Sequence, residues 1–163
     1  MNEHCNKTKY ELSGVIAIIS GFLLMLVIPV SAQEIMITNT HGLAFGSFAA
    51  GSGGTVTVSS NNLRSAGGDV FLFPSGQVTA AGFTISGAPN ASYNIDLPPN
   101  EFVKLTGPGG EMSVNNFSSS PSITGLLSAG GSQTLTVGAT LVVGSNQAPG
   151  EYTGSFSVIV NYN

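Results

Sequence analysis

Charged side chains are scarce in this sequence. Four of its 163 residues are Lys or Arg and eight are Asp or Glu, so 7% are charged and the formal net charge is −4. The surfaces of ordinary soluble domains are about 25–35% charged. Nucleic-acid binding needs clustered Lys and Arg, and their scarcity argues against a nucleic-acid partner. The composition favours an extracellular protein that packs side by side in an assembly. A small, uncharged polar sandwich is the alternative.

Cysteine is absent from most of the chain, because the single cysteine is Cys5. Lys7 and Lys9 precede an apolar run over residues 14–30, which ends in small residues up to Ala32. This order predicts a helical secretory signal peptide that is cleaved after Ala32. An uncleaved anchor is the alternative, since the run is about as long as the shortest membrane-spanning helices.

Cleavage would leave residues 33–163 as the exported protein, without any cysteine. We therefore expect neither disulfides nor thiolate chemistry, although the compartment permits disulfides. About 130 residues are enough for one domain with its own hydrophobic core. The predicted route leads across the inner membrane into the periplasm and then to the cell surface or the medium.

Residues suited to catalysis or metal binding are sparse. His41 is the one histidine beyond Ala32, and a catalytic triad would need it to meet Asp69 or Asp96 and a serine, without any Gly-x-Ser-x-Gly pattern. The acidic residues are scattered singly and match no calcium or zinc spacing. The glycine-rich segments lack the Lys and the following helix of a phosphate-binding loop. We predict no enzyme, no metal site and no cofactor.

The chain is rich in short runs with apolar residues at every second position, separated by Gly, Pro and Asn turn formers. This pattern predicts an all-β antiparallel sandwich. Glycine-rich segments 51–54 and 107–110 are predicted to be hairpin turns. Residues 118–122 are predicted to form a solvated loop, and residues 123–128 could form one helical turn. The predicted strands are residues 35–38, 43–48, 54–59, 70–73, 78–86, 92–97, 102–106, 112–117, 133–143 and 151–162.

The last strand has the strongest pattern. Thr, Ser and Asn dominate one face, and the other is apolar and aromatic, which predicts a half-buried strand with one solvated side. The apolar face consists of Tyr152, Phe156, Val158, Val160 and Tyr162.

This end of the chain resembles the C-terminal signature of chaperone-usher pilus subunits. Gly150 is the fourteenth residue from the end, Tyr162 is penultimate, and apolar residues alternate between them. The resemblance implies that Gly150, Tyr152, Phe156, Val158, Val160 and Tyr162 form the strand that a periplasmic chaperone or a neighbouring subunit binds. Many pilus subunits carry a disulfide, which residues 33–163 cannot form.

Most of the exported part is also similar to a secreted bacterial family, the domain of unknown function 4402. The segments that carry the likeness are residues 43–46 (Leu-Ala-Phe-Gly), 54–58 (Gly-Thr-Val-Thr-Val), 137–141 (Val-Gly-Ala-Thr-Leu) and 150–156 (Gly-Glu-Tyr-Thr-Gly-Ser-Phe). The family name implies no activity.

The pilus resemblance implies an immunoglobulin-like sandwich without its final strand, over residues 43–163. A groove beside residues 151–162 would then receive a strand from a chaperone, and afterwards from another copy or a related subunit at an outer-membrane usher. The candidate donor lies in the N-terminal segment, residues 33–42, with Ile35 and Ile37 on one face. Pairing of that segment within its own domain is the alternative.

The sequence therefore predicts a structural subunit of a surface fibre. A secreted binding module or adhesin with a complete sandwich, which holds a ligand in its Gly- and Asn-rich loops, is the alternative.

Overall fold

The computed structural model describes residues 33–163, and the predicted signal peptide, residues 1–32, lies outside the described residues. Every regular element in the described part is a β-strand, and no helix long and apolar enough to cross a membrane occurs there. The strands are β1 (Met36–His41), β2 (Ala44–Phe45), β3 (Phe48–Val58), β4 (Arg64–Leu72), β5 (Val78–Thr79), β6 (Ala81–Ser86), β7 (Ser92–Asp96), β8 (Val103–Gly107), β9 (Gly110–Ser120), β10 (Thr124–Leu126), β11 (Ser132–Val143) and β12 (Ile159–Tyr162).

All strand pairs are antiparallel, which confirms the predicted all-β antiparallel class. The large sheet has the order β1-β6-β11-β3-β4, and β9 joins β11 to β8. A smaller sheet has the order β10-β7-β12, and β2 pairs with β5. The sheets curl around a shared interior, as in a sandwich. Strands β1 and β12 are edge strands of different sheets.

The interior follows the period-two pattern of the sequence. In β11, the side chains of Leu135, Val137, Ala139, Leu141 and Val143 are buried, and the intervening Thr134, Thr136 and Thr140 are not. Burial of an aliphatic side chain contributes about 1.5–3 kcal/mol, so this alternation fixes which face of β11 turns inward. The core forms two clusters, one around Val56 and Leu141 and one around Ile85 and Leu135.

Two loop predictions are wrong. Residues 118–120 continue β9, because Ser118 and Ser120 lie opposite Gly138 and Thr136 of β11. The predicted helical turn contains β10, which pairs with β7. In both cases a neighbouring strand edge supplies backbone partners that the local sequence does not reveal.

Of the two glycine-rich segments predicted to be hairpin turns, one is a turn and the other is not. Gly107 and Gly110 close the β8–β9 hairpin as predicted. The segment at 51–54 instead lies inside β3, where the register with β4 shifts between Ala50 and Gly53. Gly53 has a φ of 101°, which favours glycine, and the irregularity is held by the Asp69 carboxylate, which accepts hydrogen bonds from the Ser52 backbone and hydroxyl.

The last predicted strand is mostly not a strand. Only Ile159–Tyr162 pairs in a ladder, with β7. Upstream, Thr153 makes an isolated antiparallel bridge to Thr106, with both backbone hydrogen bonds formed. Residues 154–157 between these two contacts make no backbone hydrogen bond within the described part of the chain.

Candidate functional site

A large cleft opens along the side of the molecule where these unpaired residues lie. Its volume is about 1280 Å³. One wall, here called the N-terminal wall, is residues 42–50, and the C-terminal wall is residues 147–156. Between the walls, apolar residues of β6, β8, β9 and β11 line the cleft: Ala81, Phe83, Val103, Leu105, Met112, Val114 and Leu141.

The N-terminal wall is paired on one edge. Ala44 and Phe45 pair with β5, and residues 48–50 pair with β4. Farther along β3, residues 54–58 pair with β4 on one edge and with β11 on the other. Residues 48–50 have no second ladder partner among the described strands. This part of β3 therefore offers a backbone edge at the cleft.

The C-terminal wall is fixed at its start by Tyr152. The Tyr152 hydroxyl donates a hydrogen bond to the Ala148 carbonyl (2.8 Å) and accepts from the Gly109 amide and the Gln147 side chain (both 2.9 Å). Farther along, the Phe156 ring packs between Phe117, at 5.1 Å between ring centroids, and Phe83, at 6.3 Å. Phe156 thereby contacts both core clusters.

A smaller cavity of about 420 Å³ lies at the C-terminal end of β12, and residues 33–35 line it with Asn161 and Tyr162. The Tyr162 hydroxyl donates to the Gln33 carbonyl (3.0 Å) and accepts from the Ala88 amide (2.6 Å). Each of the two cavities thus lies between an N-terminal segment and the C-terminal segment of the chain.

The structure brings part of the predicted C-terminal site together at the cleft. Gly150, Tyr152 and Phe156 line it. Val158, Val160 and Tyr162 instead pack against the cluster around Ile85. Val160 is buried, whereas Val158 and Tyr162 are half-buried.

The predicted donor segment is paired within its own domain. β1 lies antiparallel to β6, with Ile37 opposite Ile85, and both Ile35 and Ile37 pack against the same cluster. The structure therefore contains the internal pairing that the sequence left as the alternative.

Sequence reasoning missed most of the cleft lining. Phe48, Leu105 and Met112 were recognisable only as members of predicted strands, and nothing in their spacing indicates that they border an opening. No signal in the sequence marks the N-terminal wall as the border of a cleft.

Two residues considered for a catalytic triad make other contacts. The His41 ring contacts the Thr40 hydroxyl, and the Asp69 carboxylate is bound by Ser52. Among residues 33–163, no group of three or more His, Cys, Asp or Glu side chains could hold a metal ion.

The most perturbed acid is Glu101, at the loop before β8. Hydrogen bonds from Asn115, Ser113 and Lys104 stabilise its carboxylate and lower its pKa to about 2. Glu101 is therefore ionised at neutral pH and holds the loop to β9.

The family model of the domain of unknown function DUF4402 matches residues 35–162. The chain belongs to this family, as the sequence segments indicated. No curated protein matches the chain. No solved structure matches it either.

Proposed function

We propose that the protein is an exported structural subunit of a surface fibre, and that its cleft accepts a β-strand from another polypeptide. The observation that carries this proposal is the cleft itself. Apolar side chains line it between the walls, and it lies beside a free edge of residues 48–50 and the unpaired residues 154–157. An added strand needs both features: backbone partners for its ladder and apolar surface for its alternate side chains.

The energetics support strand addition at this cleft. Four or five apolar side chains of an added strand would contribute about 1.5–3 kcal/mol each when buried, on the order of 10 kcal/mol in total. That total is comparable to the roughly 5–15 kcal/mol that stabilises a whole domain. The added strand would therefore stabilise the subunit strongly, although association costs reduce the net gain.

The proposed partners are a periplasmic chaperone that fills the cleft first, an outer-membrane usher, and other copies or related subunits. The segment with Ile35 and Ile37 stays a candidate donor in this proposal. Because β1 pairs with β6, donation requires β1 to leave its own sheet and to be exchanged between copies.

The test is assembly on the surface of the producing bacterium. We expect Phe48→Asp to abolish the high-mass polymers seen when sheared surface protein is run in SDS without heating, since a carboxylate in the cleft opposes burial of a strand. Phe102→Asp is the matched control, because Phe102 is 77% exposed and does not line the cleft. Circular dichroism of both monomers checks that each is folded.

Polymers that persist in folded Phe48→Asp would contradict strand addition in the cleft. A wild-type protein that is found only as a monomer would favour the secreted binding module instead.

A further inference from the structure

We infer that the hydroxyl groups of Tyr152 and Tyr162 are positioning groups that hold the intervening segment extended, ready to receive a strand. This inference rests on the proposed function of the cleft. It concerns the conformation of the cleft before a strand binds. Burial of the two tyrosine rings does not explain why their hydroxyl groups make specific hydrogen bonds.

The hydrogen-bonding capacity of the Tyr152 hydroxyl is fully satisfied. It donates once and accepts twice, which is the whole capacity of a phenol oxygen. Its partners belong to the β8–β9 hairpin and to the turn around Ala148, so the hydroxyl ties two loops together at the start of the segment. Gly107 and Gly109 make room for the side chain, because a Cβ at either position would collide with it.

The Tyr162 hydroxyl does the same at the other end. It accepts from the Ala88 amide, in the loop before β7, and donates to the Gln33 carbonyl. The second bond joins β12 to the segment that leads into β1. Tyr162 therefore ties the C-terminal strand both to the loop before β7 and to the start of the described chain.

Between the two tyrosines, residues 154–157 have no backbone partner within the described chain. Their ends are held by the bridge between Thr153 and Thr106 and by the β12–β7 ladder, which the two tyrosine hydroxyls brace, and Phe156 packs against two other aromatic rings. Ordering a free residue costs about 1–2 kcal/mol in backbone entropy. If the ends are anchored, part of this entropy is already lost before the strand binds. Strand binding then costs less entropy, an effect called preorganisation.

This role has a specific kinetic consequence. The apparent affinity for the added strand is proportional to the fraction of molecules whose segment is extended. If the anchors raise this fraction, their loss lowers the apparent affinity in the same proportion. The bound state keeps its ladder, so the association rate constant falls and the dissociation rate constant stays unchanged. Loss of a direct contact with the added strand would raise the dissociation rate constant instead.

The first experiment measures order in the unbound protein and does not depend on strand binding. The full chain is labelled with ¹⁵N, and the backbone order parameters of residues 154–157 are compared between wild type and the Tyr152→Phe/Tyr162→Phe double variant. We expect order parameters of about 0.85 in wild type and below about 0.6 in the double variant. Equal order parameters in the two proteins would overturn the inference.

Tyr93→Phe is the matched control. It removes a hydroxyl that donates a 2.6 Å hydrogen bond to Gln133, away from the cleft walls. We expect residues 154–157 in Tyr93→Phe to keep the wild-type order. Loss of order in this control as well would show a general loss of stability and would overturn a positioning role.

The second experiment uses a nine-residue peptide in which Ile alternates with Thr, with binding rates measured by surface plasmon resonance on the full chain. We expect the association rate constant of the double variant to be at least about fivefold lower, with the dissociation rate constant unchanged. A change confined to dissociation would overturn the inference. A wild-type protein that does not bind the peptide would overturn the proposed function, and the order parameters would still decide the inference.

Discussion

Single polar residues fix the loops around this sandwich, and Glu101 is the clearest case. Its backbone has a φ of 65°, unusual for a residue with a side chain, and its amide donates to the Asn115 side chain. The carboxylate then accepts from Asn115, Ser113 and Lys104, an arrangement that favours the ionised form. Glu101 thus joins the loop before β8 to β9, which lines the cleft.

Stability should depend on pH through Glu101. Its pKa in the folded protein is about 2, below the ordinary value of 4.5, so its contribution is fully present above about pH 4.5 and is lost as the pH falls toward 2. We expect the melting temperature of wild type to fall more between pH 5 and pH 2.5 than that of Glu101→Gln. Thermal unfolding of both proteins at the two pH values provides the measurement, and parallel declines would contradict this role.

Gly109 should be required for the position of Tyr152. An alanine methyl group at this position would meet the Tyr152 hydroxyl and the backbone of Ala148. We expect Gly109→Ala to destabilise the protein by about 1–3 kcal/mol, as overpacking usually does. Gly130→Ala is the control, since the nearest atom to its added Cβ would be 3.6 Å away. Urea unfolding of the two variants gives the comparison, and equal stabilities would contradict the packing argument.

At the scale of the element, the strands divide into those that pair on both edges and those that do not. β11 is flanked by β9 on one edge and by β6 and then β3 on the other. β1 and β12 each pair on one edge only. The cleft lies between residues 42–50, which follow β1, and residues 147–156, which precede β12.

Ile37 should behave as a residue of an internal strand in the isolated protein. It lies opposite Ile85 and packs in the core cluster around that residue. Because a carboxylate there loses its hydration, we expect Ile37→Asp to destabilise the protein by about 2–4 kcal/mol in urea unfolding. Thr38→Asp, next to it on the exposed face, should stay within about 0.5 kcal/mol of wild type. Unchanged stability of Ile37→Asp would contradict internal pairing.

The period-two pattern predicted which side chains turn inward but not which edges are paired. Leu135 to Val143 alternate as expected, because burial of one face depends on the residues themselves. The similar pattern of residues 151–162 overpredicted a strand, since a ladder also needs backbone hydrogen bonds to a neighbouring strand, and residues 154–157 make none in the described chain. The hydroxyl contacts of Tyr152 and Tyr162 were equally unpredictable, because their partners are mostly backbone groups in distant loops.

At the scale of the whole molecule, the described chain is a sandwich with an open side. The cleft is lined by core residues that are at most 8% exposed and by half-buried apolar residues packed against them, beside backbone edges that lack partners. Unpaired edges of this kind are templates for another strand, and proteins usually cover them. Membership of the DUF4402 family gives no activity, so the open side is the feature on which the proposed function depends.

The most direct test of strand addition is amide hydrogen exchange with and without the alternating Ile/Thr peptide. We expect the backbone amides of residues 48–50 and 154–157 that face the added strand to exchange at least about tenfold more slowly in the complex. A peptide of the same composition with its Ile residues grouped together should give no such protection. Exchange at both walls that is unchanged by saturating peptide, or protection confined to other strands, would contradict the account.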